Sequence, residues 1–269
     1  MATLSLEEIK PREKLSPKTS PAAIYKTLQW IFSNVSNGLW LVGGTALSGY
    51  YAEHRRSDDI DLFAIDPDTF RATSLLLPEL KKQGAVFEGE RKTSNYHRAT
   101  VHFLDHTFTV DIVLDENLHR VGNAKKANDG IWVVDIPTLF ATKVACLISR
   151  CSEKDLYDLD WIFSKIGKID PKEMIQRGIE IDGGLSVETL LIGLQGATLR
   201  KEACHFLLPH SDITVEKAYR KIVTLKESLI QTLLTYEKTT PPSSEARILK
   251  QAIKDRRSGP FPSRLAKKK

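Results

Sequence analysis

The sequence predicts an α+β protein, with a mixed β-sheet in the N-terminal half and a helical domain in the C-terminal half. Two observations predict this division. Short apolar segments, several alternating with polar residues, dominate the first half and are typical of strands. Longer segments with apolar residues three and four apart follow, and they are typical of helices. We expect a flexible lead-in at residues 1–19, a sheet domain at 20–135, a helical domain at 136–237 and a basic, flexible tail at 238–269.

The composition is that of an ordinary globular protein. The 269 residues are 41% hydrophobic and 27% charged, and no apolar stretch is long enough to span a membrane. The N-terminal segment has no apolar core of the kind that secretory signals carry. The three cysteines, Cys146, Cys151 and Cys204, form no C-x-x-C pair, which argues against a zinc site. These observations predict a cytoplasmic protein without a membrane partner.

Positive charge is concentrated at the C-terminus. The net charge of the chain is +5, and residues 238–269 carry ten Lys or Arg and two acidic residues. That segment is therefore +8, and residues 1–237 are −3. A basic segment on a mildly acidic body indicates a phosphate-rich partner such as nucleic acid. The alternative is a solvated tail with no ligand of its own.

Residues 39–61 contain the two strands on which the prediction of the sheet and of its site depends. Leu39 to Val42 is apolar and predicts a short strand, which runs into a tight turn at Gly43-Gly44. A helix is expected to open on Thr45, and the next strand carries Asp59 and Asp61. Paired glycines allow backbone N–H groups to approach a ligand closely, and N–H groups at the start of a helix suit a phosphate.

Asp59 and Asp61 predict a metal site. Side chains two apart on a strand share a face, so these two carboxylates lie side by side and repel each other unless a cation lies between them. Hard divalent ions with oxygen ligands are the usual reason for such a pair. A phosphate-binding turn followed by this pair predicts transfer of a nucleotidyl or phosphoryl group. The alternative is two exposed acids on an edge strand.

Asp111 is the candidate for a third metal-binding carboxylate. His97 to Leu104 and Thr107 to Leu114 alternate as two strands, which predicts a hairpin with Asp105-His106 as its two-residue loop. Asp111 lies in the middle of the second strand, where a buried charge needs a partner. A metal shared with the first two carboxylates would supply one. The alternative is an aspartate at a sheet edge, bonded to a neighbouring loop.

The helical half begins with charge placed inside apolar sequence. One helix is predicted from Pro137 to Ser149, and Ser152-Glu153 starts a second. If the two helices were continuous, their basic residues would share one face and could reach the phosphates of a bound nucleotide. Two nearby acids would orient these basic side chains. These residues are Lys143, Arg150, Lys154, Asp155 and Asp158. The alternative is a surface stripe of salt bridges. Before the helices, residues 117–130 are predicted to be a polar loop that carries Lys125 and Lys126.

Two blocks of residues together resemble the AbiEii/AbiGii-type nucleotidyltransferases, which belong to the polymerase-β-like superfamily. The first block is Gly43-Gly44-Thr45-Ala46-Leu47 with Arg55-x-Ser57-x-Asp59-Ile60-Asp61. The second is Lys143, Arg150, Lys154-Asp155 and Asp158-Leu159. The resemblance covers roughly residues 39–163, and the remaining helices and the tail match no motif. It implies an N-terminal nucleotidyltransferase domain and a toxin of type IV toxin–antitoxin and abortive-infection systems.

The resemblance also implies roles for individual residues. The nucleotide, an NTP, would be bound by Gly43, Gly44, Thr45, Arg55, Ser57, Lys143 and Arg150. Two Mg²⁺ ions would be held by Asp59, Asp61 and, as a looser match, Asp111. The catalytic set would comprise Asp59, Asp61, Asp111, Lys143, Asp155 and Asp158.

The expected reaction is the transfer of a nucleotide to an RNA, with the 3′ end of tRNA as the acceptor, which would inhibit translation and growth. The tail and Lys125-Lys126 would hold the RNA backbone. A cognate antitoxin is a further expected partner. Two alternatives stay open: the same fold acting on a hydroxyl of a protein or a small molecule, and a catalytically inactive relative that binds nucleic acid.

Overall fold

The computed structural model describes residues 3–168 and 170–239, and it contains one seven-stranded mixed sheet. The strands are β1 (Leu39–Val42), β2 (Asp59–Ala64), β3 (Val86–Lys92), β4 (Tyr96–Phe103), β5 (His106–Leu114), β6 (Ala124–Lys126) and β7 (Trp132–Val134). Their order across the sheet is β3-β4-β5-β2-β1-β7-β6. β2 is parallel to β5 and antiparallel to β1, and β1 is parallel to β7. The two strands predicted to carry carboxylates are therefore neighbours at the centre of the sheet.

Helices precede, connect and follow the strands. They are α1 (Ala22–Asn34), α2 (Gly43–Leu47), α3 (Pro67–Leu76), α4 (Leu118–Val121), α5 (Ile136–Ser149), α6 (Glu153–Ile166), α7 (Pro171–Ile181), α8 (Val187–Gly196) and α9 (Val215–Thr239). A π-helical turn, Ser48–Ala52, continues α2. The predicted α+β class, with a sheet first and helices after it, is confirmed. None of the helices within the described ranges has both the length and the hydrophobicity that crossing a membrane requires.

The alternation of polarity along β2 and β5 places their side chains on two different faces. Ile60, Leu62, Val110 and Ile112 are completely buried on one face, which α3 covers. The aspartates lie on the other face. One cluster of buried apolar side chains extends from this sheet into the helical half, and the division at residue 135 stays a prediction.

Polar caps begin several helices where the sequence predicts them. Asp66, Asp135 and Ser152 each accept a hydrogen bond from the backbone N–H three residues later, which satisfies a donor that the first helical turn leaves free. Pro67 is the first residue of α3 and Pro137 the second of α5, where the fixed φ of proline suits the first helical turn. Helix α3 gives way to a 3₁₀ segment at Leu77–Gln83, next to Pro78, because proline cannot donate the backbone hydrogen bond of a helix interior.

The hairpin between β4 and β5 differs from the prediction by one residue. Its two-residue turn is Leu104-Asp105 rather than Asp105-His106, and both turn residues have positive φ, 48° and 57°. Two positive φ angles are what a type I′ turn needs, and this turn matches the twist of a hairpin. The pairing therefore starts at Phe103 and His106, and it places Arg98 opposite Asp111.

Two segments predicted to be irregular have defined contacts. Residues 117–130 contain α4 and β6, so Lys125 and Lys126 lie on an edge strand rather than in a loop. Residues 3–19 were expected to be flexible, yet Leu6 and Leu15 are buried in the core. Apolar side chains spaced along a polar segment can bury themselves without forming a long helix or strand. The predicted basic tail lies outside the described residues from residue 240 onward.

Two glycines of α8 provide a test of how closely this helix packs. A Cβ atom at Gly193 would overlap the backbone carbonyl of Leu147 in α5, whereas a Cβ at Gly196 would meet nothing within 4 Å. Gly193→Ala should lower the free energy of unfolding by about 1–3 kcal/mol, because backbone cannot move aside easily. Gly196→Ala should raise it by up to about 1 kcal/mol through helix propensity. Urea unfolding measures both, and equal stabilisation by the two variants would contradict the packing.

Candidate active site

A cavity of about 270 Å³ lies between the sheet and the junction of α5 with α6. Its sheet wall includes Gly43, Gly44, Asp59, Asp61, Thr109 and Asp111. Its helical wall includes Lys143, Cys146, Arg150, Ser152, Lys154 and Asp155, and Arg55, Ser57 and Arg98 also line it. Carboxylates therefore dominate one wall, and cations dominate the other.

The three predicted carboxylates lie on one face of two adjacent strands. Asp61 is directly opposite Asp111 in the parallel pairing of β2 with β5, and Asp59 is opposite Thr109. Desolvation, together with the negative charges of Asp59 and Asp111, raises the pKa of Asp61 to about 6. This cluster of like charges is the arrangement that a cation would stabilise.

Asp59 and Asp111 already have partners on the protein. Asp59 accepts a hydrogen bond from the Thr109 hydroxyl at 2.6 Å, and its other oxygen lies 3.7 Å from the Lys154 ammonium. Asp111 accepts from the Tyr96 hydroxyl at 2.5 Å and lies 3.3 Å from the Arg98 guanidinium. Within the described chain, no group of three or more Asp, Glu, His or Cys side chains is arranged to hold a metal ion. The predicted convergence of three carboxylates on Mg²⁺ stays a prediction.

The glycine pair makes room for charged side chains. Gly43 has a φ of +67°, and a Cβ there would overlap the Asp61 carboxyl. A Cβ at Gly44 would lie 2.9 Å from the Ser57 hydroxyl and would also press on the Arg55 guanidinium. Helix α2 begins at Gly43 rather than at Thr45. The glycines are therefore needed because the carboxylate and the guanidinium approach this backbone closely.

Thr45 is the predicted nucleotide-binding residue that does not line the cavity. Its side chain is completely buried, and its hydroxyl donates a hydrogen bond to the backbone carbonyl of Asp59. This contact joins α2 to the start of β2. The structure supports a role for Thr45 in positioning the carboxylate strand.

Asp158 is the centre of a buried ion cluster behind the cavity. Arg55 donates to both of its carboxylate oxygens, at 2.6 and 2.8 Å, which is the bidentate geometry of strong arginine–carboxylate pairs. Lys143 lies 2.7 Å from the second oxygen and donates to Asp155 at 3.0 Å. The His54 ring also contacts Asp158, at 2.9 Å. Asp158 therefore positions Arg55 and Lys143 and does not itself line the cavity.

The cations hold both aspartates of this cluster ionised. Burial by itself would raise the pKa of Asp158, but the charges of Arg55 and Lys143 outweigh it and hold that pKa well below its usual range. Burial opposes ionisation of Asp155 as well, and Lys143 and Arg150 lower its pKa. The interpretation as a surface stripe of salt bridges is wrong, because Asp155 and Asp158 are 1% and 0% exposed.

Comparison with known proteins assigns the family. The profile described as "Nucleotidyl transferase AbiEii toxin, Type IV TA system" matches residues 29–221. The chain belongs to this AbiEii family. It is a toxin nucleotidyltransferase, and the resemblance stated from the two sequence blocks is confirmed. A type IV system implies an antitoxin partner and a nucleotide substrate.

Solved structures give a more distant likeness. MenT4, a nucleotidyltransferase toxin of Mycobacterium tuberculosis H37Rv, is 17% identical, with a TM-score of 0.49 over 85% of this chain and 89% of that one. JHP933 of Helicobacter pylori is 14% identical, with a TM-score of 0.44 over 80% of this chain and 93% of that one. No curated protein matches the sequence. The AbiEii assignment therefore depends on the family profile.

Several residues at the AbiEii site were absent from the predicted set. Arg98 and Thr109 line the cavity, and the Tyr96 hydroxyl donates a hydrogen bond to Asp111. Arg98 and Tyr96 lie on the polar face of β4, two residues apart. The alternation of polarity along β4 placed both residues on its polar face. The predicted hairpin turn, however, was one residue too late along the chain, and that register pairs Asp111 with Thr100 instead of Arg98.

The ion cluster makes a prediction about stability and pH in this AbiEii protein. Asp158→Asn should lower the free energy of unfolding at pH 7 by about 3–5 kcal/mol, because it removes the buried carboxylate that both Arg55 and Lys143 contact and leaves Lys143 with Asp155 alone. The pKa of Asp158 is depressed in the folded state. Its stabilising contribution is therefore complete above the unfolded value of about 4 and is lost as the pH falls below it.

The measurement is denaturant unfolding of the wild type and the variant between pH 3 and pH 7, in which the difference should shrink below about pH 4. Asp160→Asn is the matched control on the same helix, because Asp160 forms only a solvent-accessible pair with Lys221 at 3.5 Å. The control should cost no more than about 1 kcal/mol. A difference between wild type and Asp158→Asn that does not depend on pH would contradict the assignment.

Proposed function

We propose that this protein transfers a nucleotide from an NTP to an RNA acceptor, the 3′ end of a tRNA, in a Mg²⁺-dependent reaction that blocks translation. One observation carries the proposal: three carboxylates on neighbouring strands face a wall of cations across a single cavity. A triphosphate needs cations for its charge, and an attacking hydroxyl needs a carboxylate nearby. The cavity offers both within one site.

The donor set fits Mg²⁺. Asp59, Asp61 and Asp111 offer only carboxylate oxygens, which are the ligands that this ion prefers. Burial and the neighbouring charges of Asp59 and Asp111 raise the pKa of Asp61, and a bound cation would favour its ionised form. When bound, Mg²⁺ supplies charge neutralisation at the phosphates and a lowered pKa for the acceptor hydroxyl.

The helical wall is the candidate for the triphosphate site. The Arg150 side chain is 65% exposed, so its guanidinium is accessible to a phosphate while Asp155 holds its Nε at 3.2 Å. Lys154 lies 38% exposed beside Asp59. Lys143 also lines the cavity, but it is mostly buried and is held by two aspartates, so it contributes positive potential to this wall. An arginine oriented by a buried carboxylate is well suited to bind phosphate oxygens.

The chemical step is an in-line displacement at the α-phosphorus. The oxygen of the acceptor hydroxyl forms a bond to phosphorus, and the bond from phosphorus to the bridging oxygen of pyrophosphate breaks. Asp111 takes the proton of the hydroxyl, because its partners Tyr96 and Arg98 lie on β4, away from the helical wall that is assigned to the NTP. Arg150 and Lys154 receive the charge of the leaving pyrophosphate.

Label transfer tests the proposal. The full chain is incubated with MgCl₂, each of the four α-labelled NTPs and bulk tRNA, and labelled RNA is resolved on a denaturing gel. We expect one nucleotide to be added to tRNA, and EDTA should abolish the reaction. Asp61→Asn should slow transfer at least about a hundredfold, the scale of losing one preorganised charged group.

Asp58→Asn is the matched control. Asp58 precedes β2 and contacts Arg56 and His106 outside the cavity, so its variant should transfer label at the wild-type rate. Label appearing on protein or on a small molecule, with none on RNA, would overturn the choice of acceptor. Full activity in Asp61→Asn would overturn the site itself.

A further inference from the structure

We propose that the sheet face beyond Asp111 binds the phosphate backbone of the acceptor RNA, with Arg98 on β4 and Arg91 on β3 as its phosphate-binding residues. The proposal rests on the proposed function, because it requires the acceptor to be RNA. It assigns the acceptor a place on the sheet, separate from the helical wall that faces the NTP.

Four charged residues form one row across four strands. Asp61 pairs with Asp111 between β2 and β5, Asp111 pairs with Arg98 between β5 and β4, and Arg98 pairs with Arg91 between β4 and β3. Residues paired across strands share a face of the sheet. With strands about 4.8 Å apart, the row extends roughly 14 Å from the cavity to the sheet edge. That distance is long enough for the phosphates of more than one nucleotide.

Along this row, from the cavity to the sheet edge, the charge changes from negative to positive and the side chains become more exposed. The Asp111 side chain is 14% exposed and the Arg98 side chain is 45% exposed, while Arg91 at the edge is exposed. Negative charge therefore lies in the cavity, and positive charge lies in the open. An RNA strand fits this arrangement, because its reacting terminal hydroxyl would lie at the carboxylates and its phosphates would lie at the two arginines.

The Arg91–Arg98 pairing is itself unfavourable in the free protein. Like charges directly opposite each other on neighbouring strands are destabilising. In the described part of the chain, Arg91 makes no ion pair that would offset this cost. The two acids on the same strand have other partners: Glu88, on the other side of a bulge, pairs with His102 at 3.3 Å, and Glu90 pairs with His97 at 2.9 Å. A phosphate between the two guanidinium groups would remove the repulsion.

Arg98 can bind Asp111 and a phosphate at the same time. A guanidinium has five N–H donors, which is more than the contact with Asp111 uses. Tyr96 holds the other oxygen of Asp111, so both contacts to this carboxylate come from β4. A phosphate bound at Arg98 would therefore place the acceptor hydroxyl beside the group that takes its proton.

The geometry of in-line attack favours the β3 edge of the sheet over the β6 edge as the place of the acceptor. In-line attack requires the acceptor to approach from the side opposite the leaving pyrophosphate. The NTP is assigned to the helical wall, and β4 with β3 is the sheet edge next to Asp111. Lys125 and Lys126, which were expected to hold RNA, lie on β6 at the far edge, four strands from β5.

The experiment measures tRNA and NTP kinetics separately in the full-length protein. Arg91→Gln should raise the KM for bulk tRNA about tenfold and leave the KM for NTP and kcat within twofold, since Arg91 touches no carboxylate of the cavity. The slope of log(kcat/KM) for tRNA against log[salt] should fall by about 0.7, the value for one lost contact to a single strand. Arg98→Gln should raise the KM for tRNA by at least as much, and Arg98→Lys should restore part of it.

Lys92→Gln is the matched control. Lys92 has the same charge and lies next to Arg91, but it pairs with His97, whose side chain faces the core. Its variant should keep the wild-type KM for tRNA and the wild-type salt slope. If wild type labels tRNA and Arg91→Gln behaves like Lys92→Gln, the acceptor site is wrong while the proposed function stands. If wild type labels no RNA, the proposed function fails, and this inference fails with it.

Discussion

The pairing of Arg55 and Lys143 with Asp158 is the constraint on which the rest of the site depends. Asp158 is 0% exposed, and both of its oxygens are used. A buried ion pair is tolerated only with good geometry and satisfied hydrogen bonds, so α5, α6 and the segment before β2 have little freedom to move apart. Because Arg55 also lies against Gly44, the same cluster fixes the glycine turn relative to the helices.

This constraint separates charge across the cavity. Asp155 and Asp158 neutralise part of the positive charge of Arg55, Lys143 and Arg150, and they hold these cations on the helical side. On the sheet side, Asp59 and Asp111 each contact one cation, and burial together with their negative charges raises the pKa of Asp61. A site that binds both an anionic substrate and a divalent ion needs its carboxylates and its cations on different walls. If they were interspersed, they would form ion pairs with each other and leave less charge for the ligands.

Much of the fold and of the site could be predicted, because the signals were local. Alternation along β2 and β5 decided which face Asp59, Asp61 and Asp111 occupy, and the helix caps marked where the helices begin. The hairpin turn was misplaced because Leu104 adopts a positive φ without the usual Gly or Asn signal. Moving the turn by one residue along the chain shifts every cross-strand partner by two residues. The predicted register therefore placed Thr100, and not Arg98, opposite Asp111.

The ion cluster could not be predicted from spacing along one helix. Lys143 and Asp155 are twelve residues apart, which in a continuous helix would separate their Cα atoms by about 18 Å. Their charged atoms are 3.0 Å apart, because the chain reverses at Cys151, whose φ is +35°, and α6 packs back against α5. The sequence contained the residues of the cluster and the cap at Ser152 that restarts the helix. Only the packing of the two helices turns those residues from a stripe on a surface into a buried group that can orient a cation toward the cavity.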